Sequence, residues 1–148
     1  MTQLSEHFSL AELTVSENAR RLGLSNTPPP DILKRLTTTA EHMERVRALL
    51  LGQAIHVSSA YRSPAVNRAA GGAKASAHMS GWAVDFTCPD FGPPLLVARR
   101  IALSGLAFDQ LIHEFGRWVH ISFDPDNRGQ VLTIDAQGTR PGLLPVRP

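Results

Sequence analysis

The sequence lacks several features that would assign it to a class of protein at once. It contains one cysteine, Cys88, so no disulfide can form within the chain. The net charge is only +2, with the arginines spread along the chain, which argues against a nucleic-acid-binding protein. No apolar run is long enough to span a bilayer. We therefore expect a protein that neither binds nucleic acid nor inserts into membranes.

What is present is the composition of one globular domain. Hydrophobic residues make up 43% of the 148 residues and charged residues 19%, a balance that favours a packed core over disorder. The start of the chain has no basic stretch followed by an apolar run, so we expect no signal peptide and synthesis in the cytoplasm. Three prolines and two glycines follow Asp135. We predict a single domain over residues 1–135, a loosely held tail over residues 136–148, and a monomer.

Capping residues and apolar periodicity predict helices first and strands later. A capping box at Ser9 and Glu12 begins the first helix, and Pro30 begins a long second helix with an apolar stripe. This order predicts an α+β domain in which N-terminal helices pack on a small antiparallel sheet that ends in a β-meander. The helices are predicted over residues 10–21, 30–51, 64–70 and 94–104, and the strands over 54–60, 81–86, 107–115, 117–123 and 130–134.

One stretch, residues 76–86, carries two residues of the kinds that bind zinc. His78 and Asp85 lie seven positions apart, with Gly81 between them to let the chain turn. Strand alternation turns Asp85 away from the aromatic side, and a buried carboxylate needs a partner such as a metal ion. This spacing alone is common by chance. His120, in mid-strand on the face opposite an apolar row, supplies the third ligand that a catalytic zinc ion usually takes.

The turn before His120 decides which residue lies beside the metal for proton transfer. A three-residue loop over residues 115–117 places Glu114 on the face of His120, whereas a two-residue loop over 116–117 places His113 there. Hairpins of both lengths are common. We favour Glu114, because a glutamate beside zinc-bound water can take its proton and return it to a leaving amine. His113 remains the alternative, as a ligand or a hydrogen-bond donor.

Several segments together resemble a known family. The segments SAYRS (59–63), SAHMSGWAVD (76–85) and WVH (118–120) resemble, in this order, the zinc D-Ala-D-Ala carboxypeptidase family, whose fold is shared with hedgehog signalling domains. The FSLAEL opening, the NTPP connector, the YRSPAVN segment and the DQLIHEF hairpin are similar to its compact branch associated with phages and prophages. The likeness extends from about Phe8 to about Phe123.

The resemblance implies roles for individual residues. It makes His78, Asp85 and His120 the ligands of one zinc ion. It makes Arg62 a cation that binds substrate or stabilises the transition state near the scissile amide, and Ser76 a hydrogen-bond partner of the substrate backbone. The partner that it implies is the peptide of bacterial peptidoglycan.

One position departs from the family pattern. Many members carry a glutamate or aspartate three residues before the second zinc histidine, where this chain has Arg117. A guanidinium cannot act as a base, so the role of acid and base passes to Glu114. Trp118 lies two residues before the same histidine and is a candidate substrate-binding residue, although packing explains it more simply.

The leading prediction is a zinc-dependent peptidase of the D-Ala-D-Ala carboxypeptidase type that hydrolyses an amide bond in peptidoglycan stem peptides. One alternative is an endopeptidase endolysin that cuts between L-Ala and an acidic D-residue. Another, suggested by Arg117, is a zinc-stabilised cell-wall-binding or structural phage module without turnover. In each case we expect the protein to act on the cell wall, by a route that the sequence does not reveal.

Overall fold

The computed structural model describes residues 2–146, in which helices and one mixed sheet are joined by loops. The predicted α+β class is confirmed. The helices are α1 (Leu10–Leu13), α2 (Glu17–Leu22), α3 (Pro30–Leu49), α4 (Pro64–Ala69) and α5 (Pro94–Ala102). The strands are β1 (His56–Ser59), β2 (Ala83–Thr87), β3 (Gln110–Glu114), β4 (Trp118–Ser122), β5 (Gln130–Asp135) and β6 (Gly138–Pro141).

The helix predicted over residues 10–21 is in fact two short helices. The capping box is present: the Ser9 hydroxyl accepts from the Glu12 amide at 3.1 Å, and the Glu12 carboxylate accepts from the Ser9 amide at 3.2 Å. The helix lasts only four residues. The Ser16 hydroxyl then accepts from the amide of Ala19 at 3.0 Å and begins α2. The prediction missed this second cap, which starts a new helix.

The sheet has the strand order β1-β2-β4-β3-β5-β6. Every pair of neighbours is antiparallel except β3 and β5, which run parallel. The predicted β-meander is therefore wrong at its last strand. Both edges of β4 are already paired, to β2 and to β3, so β5 crosses over and pairs with the free edge of β3.

The segment after Asp135 is held to the sheet, unlike the loose tail that was predicted. Strand β6 pairs with β5. The Thr133 hydroxyl donates to the carbonyl of Gly142 at 2.8 Å and accepts from the amide of Leu144 at 3.0 Å. The ring of His113 donates through Nδ1 to the carbonyl of Leu144 at 3.0 Å. The last two residues of the predicted tail, 147 and 148, lie outside the described residues.

The core lies between one face of the sheet and the helices α3 and α5, and it leaves the other face free for chemistry. Buried side chains of α3, such as Leu36 and Met43, belong to the same apolar cluster as Val84 and Phe86 of β2. The alternate residue, Asp85, faces the opposite side. Among residues 2–146, no helix has the length and apolar character needed to cross a membrane.

A buried contact between α3 and the loop before β2 sets the position of that loop. The Thr39 hydroxyl donates to the carbonyl of Gly81 at 2.7 Å. Gly81 has φ of 83°, and a Cβ there would lie 3.1 Å from Cγ2 of Ile32. Only glycine combines this backbone conformation with so close an approach. The helix scaffold therefore fixes the chain between His78 and Asp85.

Candidate metal centre and active site

Three side chains converge on the free face of the sheet. Nε2 of His78 lies 3.3 Å from Oδ1 of Asp85, and Nδ1 of His120 lies 2.8 Å from the same oxygen. One ligand atom from each residue lies within 4.8 Å of the others, and all three residues are buried. Asp85 and His120 are directly paired across β2 and β4, while His78 approaches from the loop before β2. The structure thus brings together all three predicted metal ligands.

The orientation of His78 suits a metal ligand. Its Nδ1 donates a hydrogen bond of 2.6 Å to the backbone carbonyl of Ala60, which leaves the lone pair of Nε2 directed towards Asp85. Such an outer hydrogen bond fixes the tautomer of a ligating histidine. Two imidazole nitrogens and a carboxylate form a donor set that zinc favours. The residues present therefore fit the ion that the motif predicts.

The charges of the site reinforce this fit. Burial alone would raise the pKa of Asp85, but hydrogen bonds from His120 and His78 hold that pKa far below its usual range. For His120, burial alone would lower the pKa. The hydrogen bond to Asp85 and the negative charge of Asp85 outweigh this effect, so the pKa of His120 is raised overall. Asp85 is therefore ionised at neutral pH, as a metal-binding carboxylate must be, and a metal ion would replace the proton that it shares with His120.

The β3–β4 hairpin places Glu114 beside these ligands. Its loop has three residues, because Glu114 pairs with Trp118 and Ile112 pairs with His120. Oε1 of Glu114 lies 3.9 Å from Nδ1 of His120. The alternative register is wrong: His113 pairs with Val119, is buried on the opposite face and hydrogen-bonds the C-terminal segment.

Glu114 is largely buried, and this changes its acidity. Burial and, next, the charge of Asp85 raise the pKa of Glu114, while the charges of His120 and Arg62 act against that rise. A carboxylate with a raised pKa is a better match for proton transfer near neutral pH than an exposed one. Glu114 thus has both the position and the environment of a proton carrier.

Arg62 reaches the same centre from the segment after β1. Its Nη2 lies 3.6 Å from Oδ2 of Asp85. Its Nε donates to the Ser59 hydroxyl at 3.2 Å, and its Nη1 donates to Oδ1 of Asn67 at 3.2 Å. The backbone amide of Arg62 donates to the carbonyl of His78 at 3.1 Å. The guanidinium is therefore held at the edge of the metal centre from two sides.

The two remaining predicted site residues lie close by and have structural contacts of their own. The Ser76 hydroxyl accepts from the amide of His78 at 3.2 Å, so it braces the turn that carries this ligand. Its own proton stays available for donation. Trp118 is half-buried, pairs with Glu114, and has its ring centroid 5.6 Å from that of Phe115. Both residues border the site, and their contacts alone do not assign a role in substrate binding.

Other residues that the sequence offered lie outside the centre. Asp109 is buried just before β3 and accepts from the backbone and guanidinium of Arg128 at 2.8–3.0 Å, which is a structural role at the entry to a strand. His42 stacks on Phe123 with ring centroids 4.7 Å apart. Cys88 is buried in the apolar core.

Sequence reasoning missed Asn67, which supports Arg62. Asn67 is only 2% exposed, and its Nδ2 donates to the carbonyl of Ala73 at 2.9 Å while its Oδ1 accepts from Arg62. A Cβ on Gly72 would lie 2.1 Å from that oxygen, so this glycine leaves the space that Asn67 needs. The only signal was an asparagine five positions after Arg62 on a short helix, which is also the pattern of an exposed polar residue.

We expect Asn67→Ala to lower kcat/KM about tenfold, because a buried hydrogen bond to a charged group contributes about 1.5–3 kcal/mol and Arg62 would lose its acceptor. Asn67→Asp keeps an acceptor for Arg62 and should retain more activity than the alanine variant. The measurement is steady-state kinetics at equal zinc content, with Asn18→Ala as the control, because Asn18 is a half-buried asparagine on α2 that accepts from Arg21. Equal losses in the alanine and aspartate variants would contradict a role in holding Arg62.

The fold and this side-chain cluster fit one class of protein, the zinc-dependent metallopeptidases. The sequence model of a family described as Peptidase M15 matches residues 6–122, which is most of the chain. The chain therefore belongs to the peptidase M15 family, the family of the zinc D-Ala-D-Ala carboxypeptidases, whose substrate is peptidoglycan. A search of curated proteins found no match.

Proposed function

We propose that the chain hydrolyses an amide bond of peptidoglycan stem peptides as a D-Ala-D-Ala carboxypeptidase. In this proposal His78, Asp85 and His120 hold one zinc ion and Glu114 is the acid and base. The observation that carries the proposal is the position of Glu114: its carboxylate lies on the face of the three donors, 3.9 Å from Nδ1 of His120. Many family members carry the acidic residue at the position that is Arg117 in this chain. Here the register of the β3–β4 hairpin places Glu114 beside the three donors instead.

Glu114 moves the proton in this reaction. When bound, zinc supplies a Lewis acid and a water molecule that ionises near neutral pH. The Glu114 carboxylate accepts the proton of the attacking water as the new C–O bond forms at the carbonyl carbon. It then gives that proton to the amide nitrogen as the C–N bond breaks, so that the products are a carboxylate and a free amine.

Arg62 and Ser76 act on the substrate in this proposal. The Arg62 guanidinium has a side-chain exposure of 18% and keeps donors for the oxygen on which negative charge develops. Its two hydrogen bonds, to Ser59 and Asn67, hold the group in place before substrate arrives. The Ser76 hydroxyl, next to His78, would donate to a backbone carbonyl of the peptide.

Two alternative functions would give different results in a test. An L-Ala–D-Glu endopeptidase would use the same centre on another bond, since Arg62 suits either substrate. A cell-wall-binding or structural phage module without turnover is suggested by Arg117, which replaces the usual acidic residue. In either case we propose that the protein acts on the cell wall as a monomer after synthesis in the cytoplasm.

The test is mass spectrometry of muropeptides after digestion by the zinc-loaded protein. We expect loss of one terminal D-alanine from pentapeptide stems. Release of a tetrapeptide that begins with D-glutamate, with L-Ala left on the glycan, would instead support the endopeptidase. Binding to purified cell wall with no new product would contradict turnover and support the module.

A further inference from the structure

A cavity lies beside the candidate active site and shares Trp118 with its border. It has a volume of about 740 Å³ and lies between the β3–β4 loop and the segment from the end of β5 to residue 146. Phe115, Arg117 and Trp118 line it on one side, and Asp135 and Arg140 on the other. None of the candidate metal ligands lines it.

The loop that borders this cavity holds an aromatic residue in an unfavourable conformation. Phe115 has φ of 56°, a left-handed conformation that bulky residues rarely adopt. The backbone amide of Phe115 donates to the carbonyl of Ile134 at 2.8 Å, which holds the loop against β5. Its side chain remains 38% exposed beside Trp118. Strain of this kind is kept where the surrounding structure fixes it, and such residues cluster at binding sites.

The charges that line the cavity favour an anion. Arg140 is paired with Asp135, so these two residues contribute no net charge. Arg117 is exposed and takes part in none of the ion pairs found among residues 2–146. A ligand with negatively charged acceptor oxygens would complement the guanidinium of Arg117.

Trp118 connects this cavity to the metal centre. It pairs with Glu114 and lies two residues before His120 on the same strand face, which corresponds to roughly 7 Å along β4. An extended peptide covers roughly 3.3–3.6 Å per residue. A substrate bound at the metal centre would therefore reach the cavity about two or three residues from the bond that is cut.

We infer that the cavity bordered by Phe115, Arg117 and Trp118 binds a free carboxylate of the stem peptide, two or three residues from the scissile bond. This inference rests on the proposed function, because it assigns the occupant as part of that substrate. The D-glutamate of a stem peptide carries such a carboxylate on its α-carbon. Arg117, which replaces the acidic residue of many family members, would then contribute to substrate selection and take no part in proton transfer.

The test compares two peptides that differ only in this carboxylate. The probes are L-Ala–γ-D-Glu–L-Lys–D-Ala–D-Ala and the same peptide with the α-carboxyl of D-glutamate amidated. Calorimetric titration uses zinc-loaded Glu114→Gln protein to prevent turnover. We expect amidation to weaken binding about tenfold, because a charge-assisted hydrogen bond is lost. Adding Arg117→Gln should abolish the difference between the peptides, while adding Arg99→Gln, an exposed arginine on α5, should preserve it.

The outcomes separate this inference from the proposed function. The carboxylate site would be overturned if amidation weakened binding equally in the proteins with and without Arg117→Gln. It would also be overturned if neither peptide bound measurably. If the zinc-loaded wild-type protein binds the two peptides tenfold differently but cleaves neither, the site stands and the proposed peptidase activity fails. If it cleaves both peptides with equal kcat and KM, the activity stands and the site fails.

Discussion

Glu114→Gln is expected to lower kcat by about 10²- to 10⁴-fold, the usual contribution of a positioned acid and base. Glutamine has almost the same shape, and its oxygen still accepts hydrogen bonds, but its amide cannot carry the proton from water to the leaving amine. Zinc content should stay at the wild-type value, because Glu114 lies beside the three ligand atoms and is not one of the residues whose atoms converge within 4.8 Å.

The pH profile provides an independent check on Glu114. Burial and the charge of Asp85 raise its pKa, so the base form is lost at a higher pH than for an exposed glutamate as the solution is acidified. The acid limb of kcat/KM should therefore lie at a higher pH than for an exposed glutamate and disappear in Glu114→Gln. Glu41→Gln, an exposed glutamate on α3, is the matched control. Unchanged kcat in Glu114→Gln would exclude the mechanism proposed here.

Alanine substitution of two histidines in the same hairpin should have different effects on zinc binding. His120→Ala removes one of three donor atoms, so we expect zinc to be lost on dialysis and activity with it. His113→Ala alters a buried histidine on the other face and should leave zinc bound, although it removes the hydrogen bond to Leu144. Zinc per folded protein, measured by atomic emission together with circular dichroism, separates loss of metal from loss of fold.

Zinc should also stabilise the protein only when the ligand set is complete. A metal at one hundred times its Kd adds about 2.7 kcal/mol to the free energy of unfolding if it binds only the folded state. We expect this increase for the wild type and His113→Ala, and none for His120→Ala. Equal stabilisation of His120→Ala would place the metal elsewhere.

Features that depend on a few neighbouring residues were predictable from the sequence. The cap at Ser9 requires only Glu12 three residues later, and α4 requires only Ser63 as a cap and Pro64 as its first residue. The pairing of Asp85 with His120 was within reach because strand alternation assigns each residue to a face. The break before Ser16 was missed because an unbroken helical pattern and a second cap look alike in sequence.

Features that depend on which distant segments meet were not predictable. Strand β5 follows β4 in the chain, and consecutive strands usually pair, but here β5 pairs with β3 because no edge of β4 is free. Asn67 and Gly72 gained a role only once α4 had folded against Arg62. The hairpin loop length, on which the position of Glu114 depends, was open for a similar reason: short loops of two and three residues fit the same letters.

The parallel pairing of β5 with β3 has a consequence for how copies of the protein meet in solution. The family match ends at residue 122, before β5 begins. Strand β5 nevertheless covers the backbone of β3 along its full length. Without that strand β3 would be an exposed edge able to recruit another chain, the usual start of sheet-to-sheet aggregation. The new edge is β6, a short strand that ends in Pro141, which has no amide to donate. A protein shortened to the matched region would keep every proposed ligand and lose this protection against self-association.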